Sequence, residues 1–446
     1  MNIYQRVIHD PTQFDFDVPV LGPCLIDSPM RHGHAFIDDD ARVLMDTELG
    51  AVTTIQSKLG RLPTFEKAGP RAKIYHNPAW SRAAILTSGG LCPGLNHVIK
   101  GLVEILSLDY NVKHIYGIRY GFSGLFAEST FEPMMLNADV VDTIHTLGGT
   151  ILGSSRCEQN TSQIVSTLQR ERINLLFCIG GDGTLRAARD IAEMSLERQH
   201  SISVVGIPKT IDNDLNFVGH SFGFETAIAE TSPIIESAHM EARGAFNGIG
   251  LVKLMGRDSG FIAAYATVAN PVVNFCLIPE VDFTLDGENG LLAAIERRFN
   301  SGKDHCVIVV AEGAGQNLIK EGAQERDASG NLLKKDIGEF LKTRITSYFA
   351  KKGVDTPVKY FDPSYSIRSI PAKGFDAVRC YLLARNAVHA ALAGRTNCVV
   401  GNHHDSYALV PISLATSERQ TVDLNSHLWK SVLDATRQED YFKGRA

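Results

Sequence analysis

Several features that would assign this chain of 446 residues to a specialised class are missing from it. No window approaches the roughly 18 uninterrupted apolar residues of a membrane-spanning helix, so we expect no membrane association. The formal net charge is −6 and the pI is about 6.2, which argues against a basic surface for nucleic acid. There is also no GKT or GKS triplet, and this excludes the usual nucleotide-binding P-loop.

The eight cysteines include no CxxC pair, so zinc binding is not predicted. Cys178 and Cys306 lie inside apolar runs typical of strands, where a thiol behaves as a small hydrophobic group. Residues 1–6 lack the basic-then-apolar order of a secretion signal. A reducing, cytoplasmic setting fits these observations. Two histidine pairs are expected to be exposed loop residues rather than metal ligands: His32 with His34, and His403 with His404.

Length and hydrophobic pattern together predict two lobes. Residues 1–80 are interrupted by seven prolines and look like an extension wrapped on the core. From residue 83 onward, short apolar runs such as 173–179 alternate with amphipathic stretches of helical length such as 184–197. Strands that are apolar on both faces belong to parallel sheets covered by helices on each side. The sequence therefore predicts an α/β protein with two doubly wound, Rossmann-like lobes and an N-terminal extension.

The most informative segment is PKTIDND at 208–214, which follows the apolar run 203–207. An alcohol that attacks phosphorus needs a carboxylate to accept its proton and cations to screen the transferring oxygens. The segment supplies groups of both kinds: Lys209, Thr210, Asp212 and Asp214. The alternative reading is an Asx-rich turn that caps the next helix.

A second motif, GGDGT at 180–184, also follows an apolar run directly. Packing explains an aspartate inside such a glycine turn poorly, whereas Asp182 could hold Mg²⁺ beside phosphates. A simple Asp-Gly turn is the alternative. Because ligands of doubly wound sheets bind beyond the carboxyl ends of the strands, both motifs fall where a phosphate site is expected.

Two further glycine-rich stretches could approach phosphate. The turn at 87–96 carries Gly89 and Gly90 ahead of a helical run, and glycines followed by a helix start suit an anion. A mere tight strand-to-helix turn would have the same appearance. The stretch at 148–156 ends in Arg156, whose guanidinium could bind a phosphate or simply lie on the surface.

Taken together, these motifs resemble the 6-phosphofructokinase family over residues 83–395. The resemblance extends to MGRDSG at 255–260 and AEG at 311–313. It also includes a spaced set of residues: Lys359, Tyr365 and Arg368. The run at 247–263 is similar to the long subgroup found in plants, trypanosomes and some bacteria. The resemblance implies Mg²⁺-assisted phosphoryl transfer to the 1-hydroxyl of fructose 6-phosphate, a step of glycolysis.

The resemblance also implies roles for individual residues. Asp212 would be the general base, supported by Asp214 and Thr210 and with Lys209 beside it, and Asp182 would bind Mg²⁺. The phosphoryl donor would contact Gly89, Gly90, Arg156, Gly181, Gly183 and Thr184. Fructose 6-phosphate would contact Thr210, Asp212, Met255, Gly256, Arg257, Glu312, Lys359, Tyr365 and Arg368.

Three positions in or near the implied sugar site depart from the family or have an alternative role. The shorter bacterial enzymes carry an arginine for the 6-phosphate just before the MGR strand, where this chain has Asn247. Phosphate binding would therefore depend more on Lys359 and Arg368. Met255 could equally be a core residue, whereas Arg257 is also placed to screen transition-state charge, with a surface salt bridge as its alternative.

Members of the 6-phosphofructokinase family, which the chain resembles, use either ATP or pyrophosphate. Pyrophosphate enzymes usually have a second aspartate where Gly183 stands, and its bulk and charge would exclude the α-phosphate of a nucleotide. Gly183 with Lys209 is the combination of the ATP-using members of the long subgroup. We therefore predict ATP as the donor, with a pyrophosphate-dependent fructose 6-phosphate 1-phosphotransferase as the alternative.

Two other classes of protein share some of these features. Lipid and NAD kinases carry GGDGT-like turns but lack the pair PKTIDND and MGRDSG. A non-enzymatic regulatory subunit would be expected to lose Asp212, Asp182 or Arg257, and all three are present. The resemblance further implies a homo-oligomer, a dimer or tetramer whose neighbouring subunits complete the sugar site. Its lobes would be 81–223 with part of 370–446 for ATP, and 224–369 for fructose 6-phosphate.

Overall fold

The computed structural model describes residues 3–30, 35–155, 160–319, 334–403 and 405–438. Two compact units divide the chain. Unit 1 comprises Met1–Gly223 and Arg368–Arg419, and unit 2 comprises Phe224–Ile367 and Gln420–Ala446. The assignment of one region to the phosphoryl donor and the other to the sugar stays a prediction. None of the helices in the described ranges is long and apolar enough to cross a bilayer.

The strands of the described residues are short to medium in length. They are β1 (Ile26–Asp27), β2 (Arg42–Leu44), β3 (Thr64–Lys67), β4 (Lys73–Ile74), β5 (Arg82–Thr87), β6 (His114–Ile118), β7 (Met134–Met135), β8 (Leu175–Gly180), β9 (Ser203–Pro208), β10 (Gly248–Leu254), β11 (Phe275–Leu277), β12 (His305–Ala311), β13 (Val358–Phe361), β14 (Cys398–His403) and β15 (Ser406–Pro411).

The α-helices alternate with these strands over most of the chain. They are α1 (Ile3–His9), α2 (Leu49–Leu59), α3 (Leu95–Glu104), α4 (Ala138–Val141), α5 (Thr161–Arg170), α6 (Asp182–Glu197), α7 (Phe224–Arg243), α8 (Phe261–Ala269), α9 (Leu291–Asn300), α10 (Ile337–Lys351), α11 (Ser364–Arg368), α12 (Phe375–Leu392), α13 (Ile412–Ala415) and α14 (His427–Thr436).

Unit 1 is built on a sheet whose described strands run in the order β2-β3-β15-β14-β9-β8-β5-β6-β7. The central strands from β14 to β6 are parallel, and the strands outside them pair antiparallel. The parallel centre brings the carboxyl ends of β5, β8 and β9 side by side at one edge. The predicted doubly wound α/β class is confirmed.

Both faces of the central strands are buried. In β8, Leu175, Phe177 and Ile179 pack into one cluster with residues of α3 and α12. The alternate residues Leu176 and Cys178 pack into a second cluster with residues of α5 and α6. Because helices cover the sheet on each side, the strand sequence is apolar without alternation. The buried position of Cys178 also agrees with its reading as a small hydrophobic residue.

Part of the segment 1–80 is built into the sheet of unit 1. Strands β2 and β3 extend the antiparallel side, and α1 and α2 bury Ile3, Val7 and Ile55 in the second cluster. Neither strand was predicted, because both are only three or four residues long and half-exposed in places. Strands of that kind carry no clear periodicity.

Unit 2 holds a parallel sheet of described strands in the order β11-β12-β10-β13. Ile249 and Leu251 of β10 pack with Ile308 of β12 and with residues of α9 and α10. The C-terminal segment closes the β11 edge: Gln438 accepts a hydrogen bond from Cys276 N–H at 2.7 Å and donates one to its carbonyl at 3.2 Å. The amide side chain thus satisfies an otherwise unpaired strand edge.

One of the expected loop histidines is not exposed. His403 ends β14 with only 8% of its surface accessible, and its ring packs on Phe65 at 5.0 Å. Its Nε2 also hydrogen-bonds the carbonyl of Phe217. The prediction of an exposed loop residue is therefore wrong for His403, because residues distant in the chain, Phe65 and Phe217, cover this strand end. His32, His34 and His404 lie outside the described residues.

Candidate functional site

Three loops meet at the carboxyl edge of the sheet in unit 1, after the adjacent strands β5, β8 and β9. Each loop begins by continuing the hydrogen bonds of the sheet. The N–H of Ser88 donates to the carbonyl of Ile179 at 3.0 Å, and the N–H of Lys209 donates to the carbonyl of Gly180 at 3.0 Å. The structure therefore brings the three predicted turns of 87–96, 180–184 and 208–214 together.

The glycine loop after β5 is tied to its neighbours by side chains. Lys209 is buried, and its Nζ donates to the carbonyl of Gly90 at 2.7 Å. The hydroxyl of Ser154 donates to the carbonyl of Gly89 at 2.6 Å. Gly89 has φ +87, and a Cβ there would lie 3.2 Å from the lysine Nζ. Glycine is therefore required by the backbone, and the ammonium group of Lys209 lies against this loop.

Helix α6 begins inside GGDGT, with Gly181 as its N-cap and Asp182 as its first residue. Unpaired N–H groups and the positive end of the dipole make such a start suitable for an anion. The Asp182 carboxylate, 17% exposed, pairs with Arg186 at 3.1 Å. Thr184 is buried under Gly180. Apart from its two chain neighbours and the backbone of its own helix, no atom of the described residues lies within 4 Å of where a Cβ on Gly183 would be, so the space there is open.

The PKTIDND loop takes its shape from Asn213, which has φ +53. Asparagine adopts this left-handed conformation more readily than most residues. Its Oδ1 accepts the N–H of Ser221 at 2.9 Å, and the hydroxyl of Ser221 donates to the carbonyl of Thr210. The Thr210 hydroxyl donates in turn to Asp214 Oδ1 at 2.6 Å. The loop is thus closed on itself by its own polar side chains.

The two acids of this loop have different surroundings. Asp214 is buried, and burial raises its pKa above the ordinary aspartate value. The Thr210 hydroxyl and Arg419, whose Nε lies 3.9 Å from Oδ2, act in the opposite direction, while the charge of Asp182 raises the pKa further. Asp212 is half-buried. No sequence signal pointed to Arg419, because it reaches this loop from 205 positions further along the chain.

In unit 2, the loops after β10 and β12 are packed backbone against backbone. The N–H of Glu312 donates to the carbonyl of Leu254 at 2.9 Å, and that of Gly313 donates to the carbonyl of Gly256 at 2.9 Å. A Cβ on Gly313 would lie 2.0 Å from the carbonyl oxygen of Arg257. Gly256 has φ +133, a backbone conformation that favours glycine. Each loop therefore fixes the position of the other.

The predicted sugar-binding residues of these two loops lie together. Met255 is buried, with 6% of its surface accessible, whereas Arg257 and Glu312 are half-buried. Asp258, the next residue along the loop, pairs with Lys334 at 3.2 Å. A thioether, a guanidinium and a carboxylate are thus presented at one edge of the sheet. Such a set offers an apolar contact, an anion-binding group and an acceptor for hydroxyl groups.

The structure does not bring Lys359 to these loops. It lies on β13 opposite Gly250, four positions before β10 ends at Leu254, a separation of roughly 13 Å along the strand. Its side chain is half-exposed, and Nζ lies 3.8 Å from Glu241 Oε2 of α7. A cavity of about 800 Å³ runs between α7 and β13 at this point. The sugar-binding role of Lys359 stays a prediction.

Of the three remaining predicted site residues, the structure describes Tyr365 and Arg368 but not Arg156. Tyr365 lies on α11 with 73% of its surface exposed. Arg368 ends the same helix and is half-buried. Arg156 lies outside the described residues, although Ser154 and Ser155 just before it contact the Gly89 loop.

A doubly wound α/β fold with glycine-rich and acidic loops at its strand ends belongs to the class of proteins that bind phosphorylated ligands at that edge. Residues 82–391 match the family described as Phosphofructokinase. The chain belongs to this family.

Its relatives match over most of their length. The ATP-dependent 6-phosphofructokinase of Borreliella burgdorferi is 45% identical over 437 residues, covering 95% of this chain and 97% of that protein. The protein of the same name from Amycolatopsis methanolica is 45% identical over 441 residues, with 96% of each chain covered. That of Trypanosoma cruzi is 46% identical over 374 residues, covering 83% and 76%.

Solved structures bear on the fold. A pyrophosphate-dependent phosphofructokinase from Marinobacter aquaeolei has a TM-score of 0.65 at 20% identity, covering 82% of this chain and 92% of that one. The phosphofructokinase of Saccharomyces cerevisiae has a TM-score of 0.61 at 20% identity, covering 80% and 48%. Both likenesses agree with the α/β class.

Proposed function

We infer that this chain transfers a phosphoryl group from ATP to the 1-hydroxyl of fructose 6-phosphate, giving fructose 1,6-bisphosphate in glycolysis. The observation that carries this function is the 45% identity, over 95% of the chain, to a relative named ATP-dependent 6-phosphofructokinase. The open space beside Gly183 supports ATP as the donor. An aspartate at this position would fill that space and repel the α-phosphate of a nucleotide. The pyrophosphate-dependent neighbours, at about 20% identity, bear on the fold alone.

For the chemical step we propose Asp212 as the general base. Its carboxylate would take the proton of the sugar's 1-hydroxyl while the oxygen attacks the terminal phosphorus of ATP, and the bond to ADP breaks. Asp214 and Thr210, joined at 2.6 Å, would hold the loop that carries Asp212. The buried ammonium of Lys209 would place positive charge beside the donor loop.

For the donor we propose contacts along the start of α6 and the loop after β5. The glycines allow the backbone to approach phosphate closely, and the helix start supplies N–H donors. The proposed contact residues are Gly89, Gly90, Gly181, Gly183 and Thr184, together with Arg156, which is not among the described residues.

We propose that Asp182 holds Mg²⁺. The ion typically takes one or two carboxylates and completes its shell with waters and substrate phosphates. The surroundings fit this pattern: Asp182 is partly accessible, and its charge acts on the nearby Asp214. When bound, Mg²⁺ supplies neutralising charge for the donor phosphates. Arg186, which pairs with Asp182, would then share that carboxylate.

For the sugar we propose Met255, Gly256, Arg257 and Glu312 as contacts within unit 2, with Arg257 also screening the transferring phosphoryl group. Further contacts would come from Thr210, Asp212, Tyr365 and Arg368. Lys359 would serve the site of a second copy in a homo-oligomer. Two observations support that proposal. Lys359 is half-exposed beside the cavity next to α7, and it lies roughly 13 Å along the strand from the loop that follows β10.

A cytoplasmic location is also proposed. The described cysteines are free thiols, and all but the half-buried Cys24 are buried. Burial raises the pKa of the Cys276 and Cys306 thiols to about 12, so these groups stay protonated and unreactive.

The function is tested by turnover of the purified chain with ATP and with pyrophosphate, in the presence of Mg²⁺ and fructose 6-phosphate. We expect robust formation of fructose 1,6-bisphosphate with ATP and little with pyrophosphate. Robust turnover with pyrophosphate and none with ATP would overturn the donor assignment, and no turnover with either would overturn the function.

A further inference from the structure

Lys253 of unit 2 lies on β10, two positions before Met255, and has no role in the proposed sugar or donor sites. Only 13% of its side chain is exposed. Its Nζ lies 2.9 Å from Asp362 Oδ2 and 3.3 Å from Asp336 Oδ2. The ammonium also lies 6.0 Å from the ring centre of Tyr360. One cation is thus shared by two carboxylates at the carboxyl edge of the sheet.

Each of the two carboxylates holds the beginning of a helix. Asp362 Oδ1 accepts the N–H of Ser364 at 3.2 Å and its hydroxyl at 2.5 Å, at the start of α11. Asp336 Oδ1 accepts the N–H of Gly338 at 2.9 Å at the start of α10, and Tyr360 donates its hydroxyl to the same oxygen at 2.9 Å. Lys253 therefore joins β10 to the starts of both helices.

The charges of this cluster support one another. Burial alone would lower the pKa of Lys253, but hydrogen bonds with Asp362 and Tyr360 raise it above the ordinary lysine value. Burial alone would raise the pKa of Asp362, but hydrogen bonds from Lys253 and Ser364 hold it below its usual range. The ions therefore stay paired at neutral pH. Removing the lysine would leave two neighbouring carboxylates without their shared cation.

We propose that Lys253 is a positioning residue for fructose 6-phosphate: through Asp362 it fixes the start of α11, and with it Tyr365, relative to the loop that carries Met255 and Arg257. This inference rests on the proposed function of those residues. Lys253 acts through Asp362 without touching the sugar. Binding sites require their side chains to be held within fractions of an ångström, so a loosened α11 weakens sugar binding before it affects the donor.

Lys352 provides a matched control. It follows the far end of α10, where its Nζ pairs with Glu296 at 2.6 Å and lies 4.6 Å from the ring centre of Tyr348. The combination of a lysine, a carboxylate and a tyrosine ring is therefore the same, but it lies away from the start of α10 and from α11.

The experiment compares Lys253→Met, Lys253→Arg and Lys352→Met in the full-length chain. We expect Lys253→Met to raise KM for fructose 6-phosphate about tenfold, while kcat and KM for ATP change less than about twofold. Lys253→Arg should restore most of the affinity, because it keeps the charge, and Lys352→Met should leave all three constants unchanged. Unchanged sugar KM in Lys253→Met, or equal loss in all constants as the folded fraction falls, would overturn the inference.

Two further variants keep the test decisive. If Lys253→Met does not fold, Asp362→Asn takes its place, because it removes the charge that Lys253 binds and keeps an oxygen for Ser364. Tyr365→Ala tests the underlying assignment. If Tyr365→Ala leaves sugar KM unchanged, the proposed sugar site is wrong. If Tyr365→Ala raises it and neither Lys253→Met nor Asp362→Asn does, only the positioning role is wrong.

Discussion

The strand-end loops of unit 1 are joined by side chains as well as by backbone hydrogen bonds, whereas those of unit 2 are packed backbone against backbone. In unit 1, Lys209 and Ser154 reach across to the carbonyls of Gly90 and Gly89. In unit 2, Gly313 approaches the backbone at Arg257 so closely that a single Cβ would overlap it. The side-chain hydrogen bonds of unit 1 leave open space for a ligand between its loops. The close backbone packing of unit 2 couples the positions of its two loops. Changes in unit 1 should therefore act on chemistry and donor choice, and changes in unit 2 on sugar affinity.

The largest effect is expected for Asp212→Ser in unit 1. Loss of a general base lowers kcat by roughly a thousandfold, because the sugar hydroxyl then has no acceptor for its proton. Both KM values should change far less. A coupled assay of fructose 1,6-bisphosphate formation measures this, with Asp190→Ser on the exposed side of α6 as the control. Activity near that of the wild type would show that Asp212 is not the base.

A smaller effect is expected for Gly183→Asp. The added carboxylate should lower kcat/KM for ATP by roughly a hundredfold, because it crowds and repels a nucleotide phosphate. Stability should be retained, since the new Cβ meets no described atom within 4 Å outside its chain neighbours and its own helix backbone, and an acid suits the first turn of α6. Gly183→Ala separates bulk from charge. Unchanged ATP kinetics in Gly183→Asp would remove the steric and electrostatic argument for the donor.

In unit 2, Gly313→Ala should change sugar binding and stability but not ATP binding. Its Cβ would push against the carbonyl of Arg257, so we expect KM for fructose 6-phosphate to rise about tenfold and stability to fall by about 1–3 kcal/mol. KM for ATP should stay constant. Gly50→Ala in α2, where a Cβ meets nothing within 4 Å among the described residues, is the control. A loss of stability with no change in sugar KM would separate this loop contact from substrate binding.

The smallest effect on activity is expected for His76→Asn in unit 1, because His76 should contribute to stability only. Its ring lies between Ser203 and Asn174, at 3.1 and 3.2 Å, and burial lowers its pKa to about 4. The folded chain therefore keeps the ring neutral, whereas the unfolded chain protonates it below its ordinary pKa of about 6.5. Stability from this residue is complete above that pH and is lost as pH falls towards 4, by at most about 3 kcal/mol.

Urea unfolding of wild type and His76→Asn between pH 4 and pH 7 measures this contribution. The wild type should lose more stability across that window than the variant does. Parallel profiles would mean that protonation of His76 is not coupled to folding, and the acid sensitivity of unit 1 would then need another source.

The central part of the fold could be predicted from the sequence because its signal is local. Strand β8 is apolar at every position, since both of its faces are covered, and GGDGT marks where it ends. The edge strands β2 and β3 could not be predicted, because short, half-exposed strands are stabilised by their partners rather than by their own pattern. His403 was misassigned for a similar reason: a polar strand end is buried only when distant residues fold over it.

The sequence by itself determined which chemical groups this protein can use and where along the chain they follow strands: the acids of PKTIDND, the glycines of GGDGT and the arginine of MGRDSG. Only the tertiary structure decided their surroundings. Arg419 lies beside Asp214, Gly313 abuts the carbonyl of Arg257, and Lys253 joins two helices. These contacts join residues far apart in the chain. Burial and ion pairing between such residues depend on distances that no local pattern encodes.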